Sequence, residues 1–365
     1  MTAATVVVLA AAWALGWLLA GRRRTLPAAV APTSVGVSVI IPARNEATRL
    51  PRLLEALAAE LRSGEVLVVD DGSTDGTAAV ARASGATVLS AEPPGGWSGK
   101  AYACWTGARA AHGDVLVFLD ADVEPTPGAI PALVAEAATS GGLVSAHPVH
   151  RVERPYERLS AGPALVALLG AGTGGEPVHR WWRRPFAFGP AMAIPAGAYR
   201  RIDGHRAVRA EIADDVALAT AADRAGVPVQ SMLAGGRLRY RMYPHGLGQL
   251  VEGWTKNLAT GGSATPPLRL VAVAIWVTAA LRAGVTLAAV AGGGPFVAGV
   301  ATYVLFAVQF HVLVRRIARF GVTASILFPV VIGAFVLLFA WSLVLTHGRR
   351  RVRWRGRVLD VGRAA

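Results

Sequence analysis

The 365-residue sequence is short of cysteine, lysine and charge. Its one cysteine, Cys104, excludes an intrachain disulfide and any multi-cysteine zinc or iron–sulfur centre, and with them a cysteine-stapled secreted scaffold. No histidine pair has metal-ligand spacing, so the chemistry must rest on other residues. Lysine occurs only at Lys100 and Lys256, although Lys+Arg total 37 against 23 Asp+Glu for a net +14; the basic excess is arginine. Charged residues make up 16% of the chain and hydrophobic residues 53%, whereas a soluble domain carries about 25% charged residues. That deficit argues against a simple soluble enzyme and for a chain partly solvated by lipid. Internal repeats and low-complexity segments are also missing.

The arginines that are present cluster beside apolar stretches: Arg22 to Arg24, then Arg315, Arg316 and Arg319, then Arg349 to Arg351 with Arg353, Arg355 and Arg357. This placement follows the positive-inside rule for membrane flanks better than it suits a nucleic-acid footprint. Residues 2 to 20 are apolar and near the length of a spanning helix. A cleaved signal peptide is the rival reading, with Ala29-Val30-Ala31 as its site, but its positive charge should precede the apolar run. The order here favours an uncleaved anchor, residues 1–24, running outside to inside. Three further apolar stretches, 268–291, 294–314 and 322–346, form a C-terminal membrane region of two or three helices. Three crossings from an inside domain would put the basic tail, 347–365, outside against the charge rule. Either one stretch is re-entrant or interfacial, with 268–291, which holds Arg282, the first candidate, and the tail is cytoplasmic, or the tail breaks the rule.

Between these membrane regions, residues 36–240 alternate short β-branched runs with helical periodicity, the pattern of βαβ units over a mostly parallel sheet. Val37–Ile41, Val66–Val69, Thr87–Leu89 and Val115–Leu119 read as buried strands. Leu50, Leu53, Leu54, Leu57 and Leu61 give a helix stopped by Gly64, and Thr74–Ser84 and Lys100–His112 are the next helices. Residues 241–265 form an amphipathic interfacial segment, its helix spanning 243 to 260. His179 to Arg184, with Trp181 and Trp182, reads as an interfacial anchor. Cys104 and His112 are assigned to packing or surface.

Three acidic constellations could carry chemistry. Asp70-Asp71-Gly72-Ser73-Thr74-Asp75 ends the second strand, where ligands bind in open α/β sheets; a plain capped turn is the alternative. Asp120-Ala121-Asp122 ends the hydrophobic run VLVFLD and could share a divalent ion with a diphosphate. Asp214-Asp215 opens a helix and could supply a general base, or be an ordinary first-turn acid pair. The loop Gly95-Gly96-Trp97-Ser98-Gly99-Lys100 fails the Walker pattern at Pro94 and Ala101, which rejects an ATPase, although Lys100 could face an anionic ligand.

Taken in order, IIPARNE, DDGSTDG, LDAD, the DGH turn at 203–205, DD at 214–215 and Trp254 before membrane helices resemble the family 2 glycosyltransferases over residues 36–260. GGWSGKAYACWTGA and YPHGLGQLVEGWTKNLATG look like the membrane-bound branch that includes carotenoid (diaponeurosporenoate-type) and, more distantly, hopanoid-associated and ceramide enzymes. The resemblance implies an α/β chain with a GT-A nucleotide-sugar fold, Rossmann-like, flanked by transmembrane helices. It implies that Pro42, Arg44, Glu46, Asp70, Asp71, Lys100 and Asp120 line the nucleotide-sugar site. Asp120 and Asp122 match the metal-binding D-x-D pair, and Asp215, with Asp214 in place of the usual glutamate, matches the base. Trp254, Lys256 and Gly189 are placed at the acceptor. The Q-x-x-R-W motif of processive members is broken here: Gln249 and Trp254 are one residue too far apart and Gly253 stands in the arginine position.

The expected activity is inverting transfer from a UDP- or GDP-sugar, with Mg²⁺ or Mn²⁺, to a membrane-embedded carotenoid, hopanoid or other lipid precursor. The expected setting is the cell membrane, multi-pass, with the catalytic domain facing the cytoplasm and no nucleic-acid partner. A processive polysaccharide synthase or a catalytically silent scaffold are the rivals.

Overall fold

The structure, a computed structural model, describes residues 2–22, 24–28, 35–61, 64–171, 184–211, 213–349, 351–354 and 357–360. The chain forms two compact units, one of residues 24–149 and 185–241 and the other of residues 1–23, 150–184 and 242–365. Residues 150–184, inside the span expected for one catalytic domain, thus cluster with the apolar helices.

Helix α1 (Ala3–Ala20) opens the chain, capped by Thr2, whose hydroxyl accepts the Thr5 N–H at 3.3 Å. Strands β1 (Val37–Ala43), β2 (Glu65–Asp70), β3 (Thr87–Ser90) and β4 (Val115–Leu119) then alternate with α2 (Leu50–Glu60), α3 (Thr77–Ala83) and α4 (Gly99–Ala110). After them come β5 (Val123–Pro125), α5 (Ala129–Ser140), β6 (Leu143–His147), the short β7 (Val149–His150) and α6 (Ala161–Ala171). The α/β unit ends with β8 (Ala191–Pro195), α7 (Ala196–Arg201), α8 (Asp214–Arg224), β9 (Val229–Leu233) and β10 (Leu238–Tyr240).

Seven strands make one sheet in the order β3-β2-β1-β4-β8-β6-β9, parallel except that β8 runs against both β4 and β6. Both faces of the inner strands β1, β4 and β6 are buried, which is why they read as continuous apolar runs, while the edge strand β3 is partly exposed. On one face Val39 and Ile41 of β1 cluster with Leu50, Leu53, Leu54 and Leu57 of α2; on the other Ile40 clusters with Ala103 and Cys104 of α4. Gly107 permits that second packing, since a Cβ there would lie 2.5 Å from Ile40 Cγ2.

The four expected strands are present. Helix α3 begins at Thr77 rather than Thr74, because residues 73–75 fold into a hydrogen-bonded turn. Helix α4 ends at Ala110, leaving His112 exposed beyond it, its Nδ1 3.3 Å from Glu65 Oε2. The α2 periodicity ends at Glu60; His179 to Arg183, including Trp181 and Trp182, lie outside the described residues.

The second unit joins α1 and α6 to α9 (Leu247–Ala264), α10 (Pro267–Val290), α11 (Phe296–Val314), α12 (Val322–Ile326) and α13 (Phe328–Leu343). Beyond them, β11 (Arg351–Trp354) and β12 (Arg357–Asp360) pair antiparallel. Among the described residues, four helices are long and apolar enough to cross a membrane: Ala3–Ala20, Pro267–Val290, Phe296–Val314 and Phe328–Thr346. The third expected C-terminal stretch is broken at Leu327 into α12 and α13, where Pro329 removes a helical donor. Small residues and a few polar bonds hold α1, α10 and α11 together. Trp276 Nε1 donates to Gln309 Oε1 at 2.8 Å, and Gln309 Nε2 donates to the Trp13 carbonyl at 2.7 Å. Gly16 leaves the room, since a Cβ there would meet Trp276 Nε1 at 2.4 Å. Arg269, 4% exposed, donates at 2.6 Å to the carbonyls of both Leu19 and Leu169, near the C-terminal ends of α1 and α6. A cation is favoured at both ends.

Candidate active site

The parallel register sets Pro42 beside Val69 and Ala43 beside Asp70, so the loops leaving β1 and β2 emerge together at the C-terminal edge of the sheet. Asn45, at φ 54°, accepts the Thr74 N–H on Oδ1 at 2.8 Å, while its own N–H donates to Ser73 Oγ at 3.0 Å. Asparagine tolerates this left-handed backbone. Asp70 accepts the Ser73 N–H at 3.0 Å, and Asp75 accepts from Thr77 at 3.0 Å and Ala47 at 3.2 Å. Asp70 and Asp75 therefore do the work of the capped turn. Arg44 donates to the Asp71 carbonyl at 2.9 Å and lies 3.9 Å from its carboxylate, which is buried. Glu46 is also buried, with its N–H on Thr77 Oγ1 at 2.9 Å and its carboxylate 3.4 Å from Arg49.

Lys100 stands in the first turn of α4, which Ser98 caps by accepting the Ala101 N–H at 3.2 Å. Its Nζ is 2.7 Å from Asp120 Oδ1. Burial disfavours the ammonium, but Asp120 and Asp214 outweigh it and hold the lysine charged, above its usual range. Asp120 follows directly on β4, its N–H donating to the Pro190 carbonyl at 3.0 Å, and Asp122 lies 3.8 Å from Arg49.

Asp214 and Asp215 open α8. Asp215 Oδ2 accepts the Gly189 N–H at 2.7 Å and its Oδ1 accepts the Val216 N–H at 2.9 Å. Burial, then the neighbouring Asp214, push the Asp215 carboxyl up to about 6, against the pull of Lys100 and the two N–H donors. Gly189 belongs at this junction: a Cβ there would lie 2.9 Å from Asp215 Oδ2 and 3.3 Å from Lys100 Nζ. The DGH turn stands behind the pair. Buried His205 has Nδ1 2.8 Å from the Tyr199 hydroxyl, and burial lowers the imidazole to about 4, so it is neutral at physiological pH. Gly204 gives Tyr199 its place, because a Cβ would meet that ring at 2.2 Å. Cys104 is buried and burial pushes its thiol up, consistent with packing.

One unit thus brings together Pro42, Arg44, Glu46, Asp70, Asp71, Lys100, Asp120, Asp122, Gly189, Asp214 and Asp215. Trp254 and Lys256 belong to the other. Trp254 is 5% exposed, donates to Ser160 Oγ at 3.0 Å and meets Tyr243 edge-on at 6.0 Å. Its indole is engaged in packing, while Lys256 is half-buried. Tyr243 also explains Gly253, where a Cβ would lie 2.2 Å from its ring. Arg49 and Asn45 were not singled out in the sequence, whereas Ser73 stood there as a candidate cap; for Arg49 the three-residue step from Glu46 was the one available signal.

Among the described residues no three His, Cys, Asp or Glu side chains gather as a metal cage. Asp120 and Asp122 supply two hard carboxylates on a partly exposed strand end. That donor set fits Mg²⁺ or Mn²⁺ completed by substrate phosphates and water, rather than a cation held by protein alone.

The chain is similar to known proteins over nearly its whole length. Residues 38–216 match the family model described as glycosyl transferase family 2. The chain is 33% identical over 337 residues to the 4,4'-diaponeurosporenoate glycosyltransferase of Staphylococcus haemolyticus, covering 90% of each protein. It is 31% identical over 365 residues to the protein of that name from Staphylococcus aureus, covering 98% of this chain and 97% of that one. A mannosyltransferase of Pyrobaculum calidifontis, solved with GDP-Man and Mn²⁺, shares the fold: TM-score 0.54 at 20% identity, over 93% of this chain and 98% of that one.

Proposed function

The chain belongs to glycosyltransferase family 2, and from that premise we propose that it transfers a hexose from a UDP-hexose to a carotenoid carboxylic acid or related lipid, with inversion. One junction carries the reading. Gly189 touches the places of both Lys100 and Asp215, so a cation suited to the donor diphosphate and a base suited to the acceptor converge. The acceptor class follows the relatives' name, in which a carboxylate ends the carotenoid.

In this reading Asp71 and Arg44 hold the nucleoside end of the donor, with Pro42 and Glu46 shaping the loop and Asp70 pinning it. Asp120 and Asp122 would hold a divalent cation, whose chemistry is Lewis-acid neutralisation of the leaving diphosphate. Lys100 adds fixed positive charge beside the same oxygens. Asp215 takes the proton of the acceptor hydroxyl or carboxyl as its oxygen bonds to the anomeric carbon and the carbon–phosphate-oxygen bond breaks on the opposite face. One displacement gives inversion. Asp214 keeps Asp215 in place by accepting its N–H at 3.1 Å.

Residues 1–24 serve as the anchor, 36–240 hold the catalytic machinery, 241–265 lie at the interface and 268–346 form the membrane region, in the cell membrane with the catalytic unit cytoplasmic. Within the apolar unit we place the re-entrant stretch at 322–346 instead of 268–291. The chain enters it beside Gly21 and His150, through the Arg316–Gly21 bond at 3.3 Å and the His150–Ile317 bond at 2.9 Å. Arg158 then meets Thr323 at 2.8 Å. The segment passes Phe328 between Tyr303 and Phe310, at 5.1 and 6.1 Å, and leaves where Ser342 donates to the Thr255 carbonyl of α9 at 2.8 Å. Trp254, next to Thr255, is bonded to Ser160, two residues from Arg158. On this placement the basic tail returns to the cytoplasmic side, as the charge rule expects.

The test is nucleotide release from a panel of UDP- and GDP-hexoses by detergent-purified protein with carotenoid acids, with and without Mn²⁺ or Mg²⁺. Metal-dependent release from one donor, reduced at least about 10²-fold in Asp122→Asn and Asp215→Asn, is expected. Release that ignores both substitutions overturns the assignment of roles.

A further inference from the structure

Each acid of the D-x-D pair already faces a cation of its own unit. Lys100 meets Asp120 at 2.7 Å and Arg49 meets Asp122 at 3.8 Å. Arg49 is held there: Glu46, 4% exposed, takes the same NH1 at 3.4 Å, and Glu46 is itself fixed through its N–H to Thr77 Oγ1 at 2.9 Å. Its guanidinium is thus suspended between two carboxylates, one buried and one at the strand end, with 19% of the side chain exposed.

We propose that Arg49 is a built-in competitor for the divalent cation at Asp122, neutralising that carboxylate in the donor-free enzyme and making metal binding conditional on the donor diphosphate. The proposal rests on the sugar-transfer reading above. With Lys100 on Asp120 and Arg49 on Asp122, each acid of the pair is already compensated by its own cation. A divalent cation arriving alone must displace those cations from the carboxylates, whereas a cation arriving with a diphosphate brings its own compensation. A guanidinium is suited to the task because it cannot shed its proton to escape the repulsion. It can release Asp122 without losing all compensation, since Glu46 remains as its second partner. Reciprocity follows: whatever factor the diphosphate adds to metal affinity, the metal adds to diphosphate affinity. Arg49 sets part of that factor without belonging to either ligand's donor set.

The experiment is Mn²⁺ binding to the full chain in detergent, read by the electron paramagnetic resonance of free Mn²⁺, with and without saturating UDP and with no acceptor present. Wild-type protein is expected to bind Mn²⁺ at least about tenfold more tightly with UDP than without. Arg49→Gln should tighten UDP-free Mn²⁺ binding about tenfold and shrink the UDP-dependent gain by a similar factor. Arg49→Lys, which keeps the charge, should retain weak UDP-free binding. Arg52→Gln removes an exposed arginine paired with Glu124 at 3.5 Å and should behave as wild type, separating a local effect from a change in net charge. UDP binding by folded Arg49→Gln with unchanged or weaker UDP-free Mn²⁺ affinity overturns the role of Arg49 and leaves sugar transfer standing. Wild-type protein that binds no UDP under any metal condition overturns both.

Discussion

Asp215, the proposed base, shows how surroundings tune a single carboxyl. Burial and Asp214 raise it to about 6, while Lys100 and two backbone donors keep it from rising further. A base works only when ionised, so kcat/KM should climb as pH rises through about 6 and fall below it. Lys100→Met removes a charge that favours the carboxylate and should move this acidic limb to higher pH, as well as lowering the rate. A pH–rate profile of both proteins at saturating metal checks the sign; a limb that moves down in Lys100→Met contradicts the electrostatic assignment. At this scale the sequence displayed the acids but not their occupations. Asp70 and Asp71 are adjacent and chemically alike, yet Asp70 is bonded into a local turn while Asp71 faces Arg44. Only the fold of residues 44–45 and 73–77 decides between them, and those contacts span about thirty positions.

At the scale of elements, two glycines separate packing from chemistry. Gly253 in α9 lies beneath the Tyr243 ring, and Gly253→Ala would drive a methyl to 2.2 Å from it. Thermal unfolding in detergent should show a loss of about 1–3 kcal/mol, the usual cost of overpacking. Gly189 precedes β8, and Gly189→Ala would press on Asp215 and Lys100, at 2.9 and 3.3 Å. Here the rate should fall by at least about tenfold with a smaller change in unfolding temperature, because a misplaced base costs rate more than stability. The reverse ranking of the two variants would mean that Gly189 is structural. Strands β1 to β4 were legible because each is a continuous apolar run between turn residues. The reversed strand β8 was not, since Ala191–Pro195 is short, carries two alanines and finds its neighbours across more than forty residues.

For the molecule as a whole, a chain whose N-terminal anchor runs inward must return its basic tail inside if 322–346 does not cross. A reporter active only in the cytoplasm, fused after Ala365, should be active, and a cysteine placed in the 291–295 turn of a Cys104→Ser chain should react with an impermeant reagent from outside. Silence of the first reporter with full expression would make 322–346 a crossing. Composition pointed to long apolar helices, and among the described residues four have the length and hydropathy to cross a membrane. How these helices pack was not readable, because it depends on bonds such as Arg158–Thr323 and Ser342–Thr255 between remote residues.

The direction of β8 has one more effect. A parallel strand presents the loop that follows it to the ligand edge, but β8, running the other way, presents the stretch that leads into it, so Gly189 reaches Asp215 ahead of the strand. This lead-in also ties two carboxylates to one short stretch: the Gly189 N–H holds Asp215 while the Pro190 carbonyl holds the Asp120 N–H, so a shift of these two residues moves both acids together.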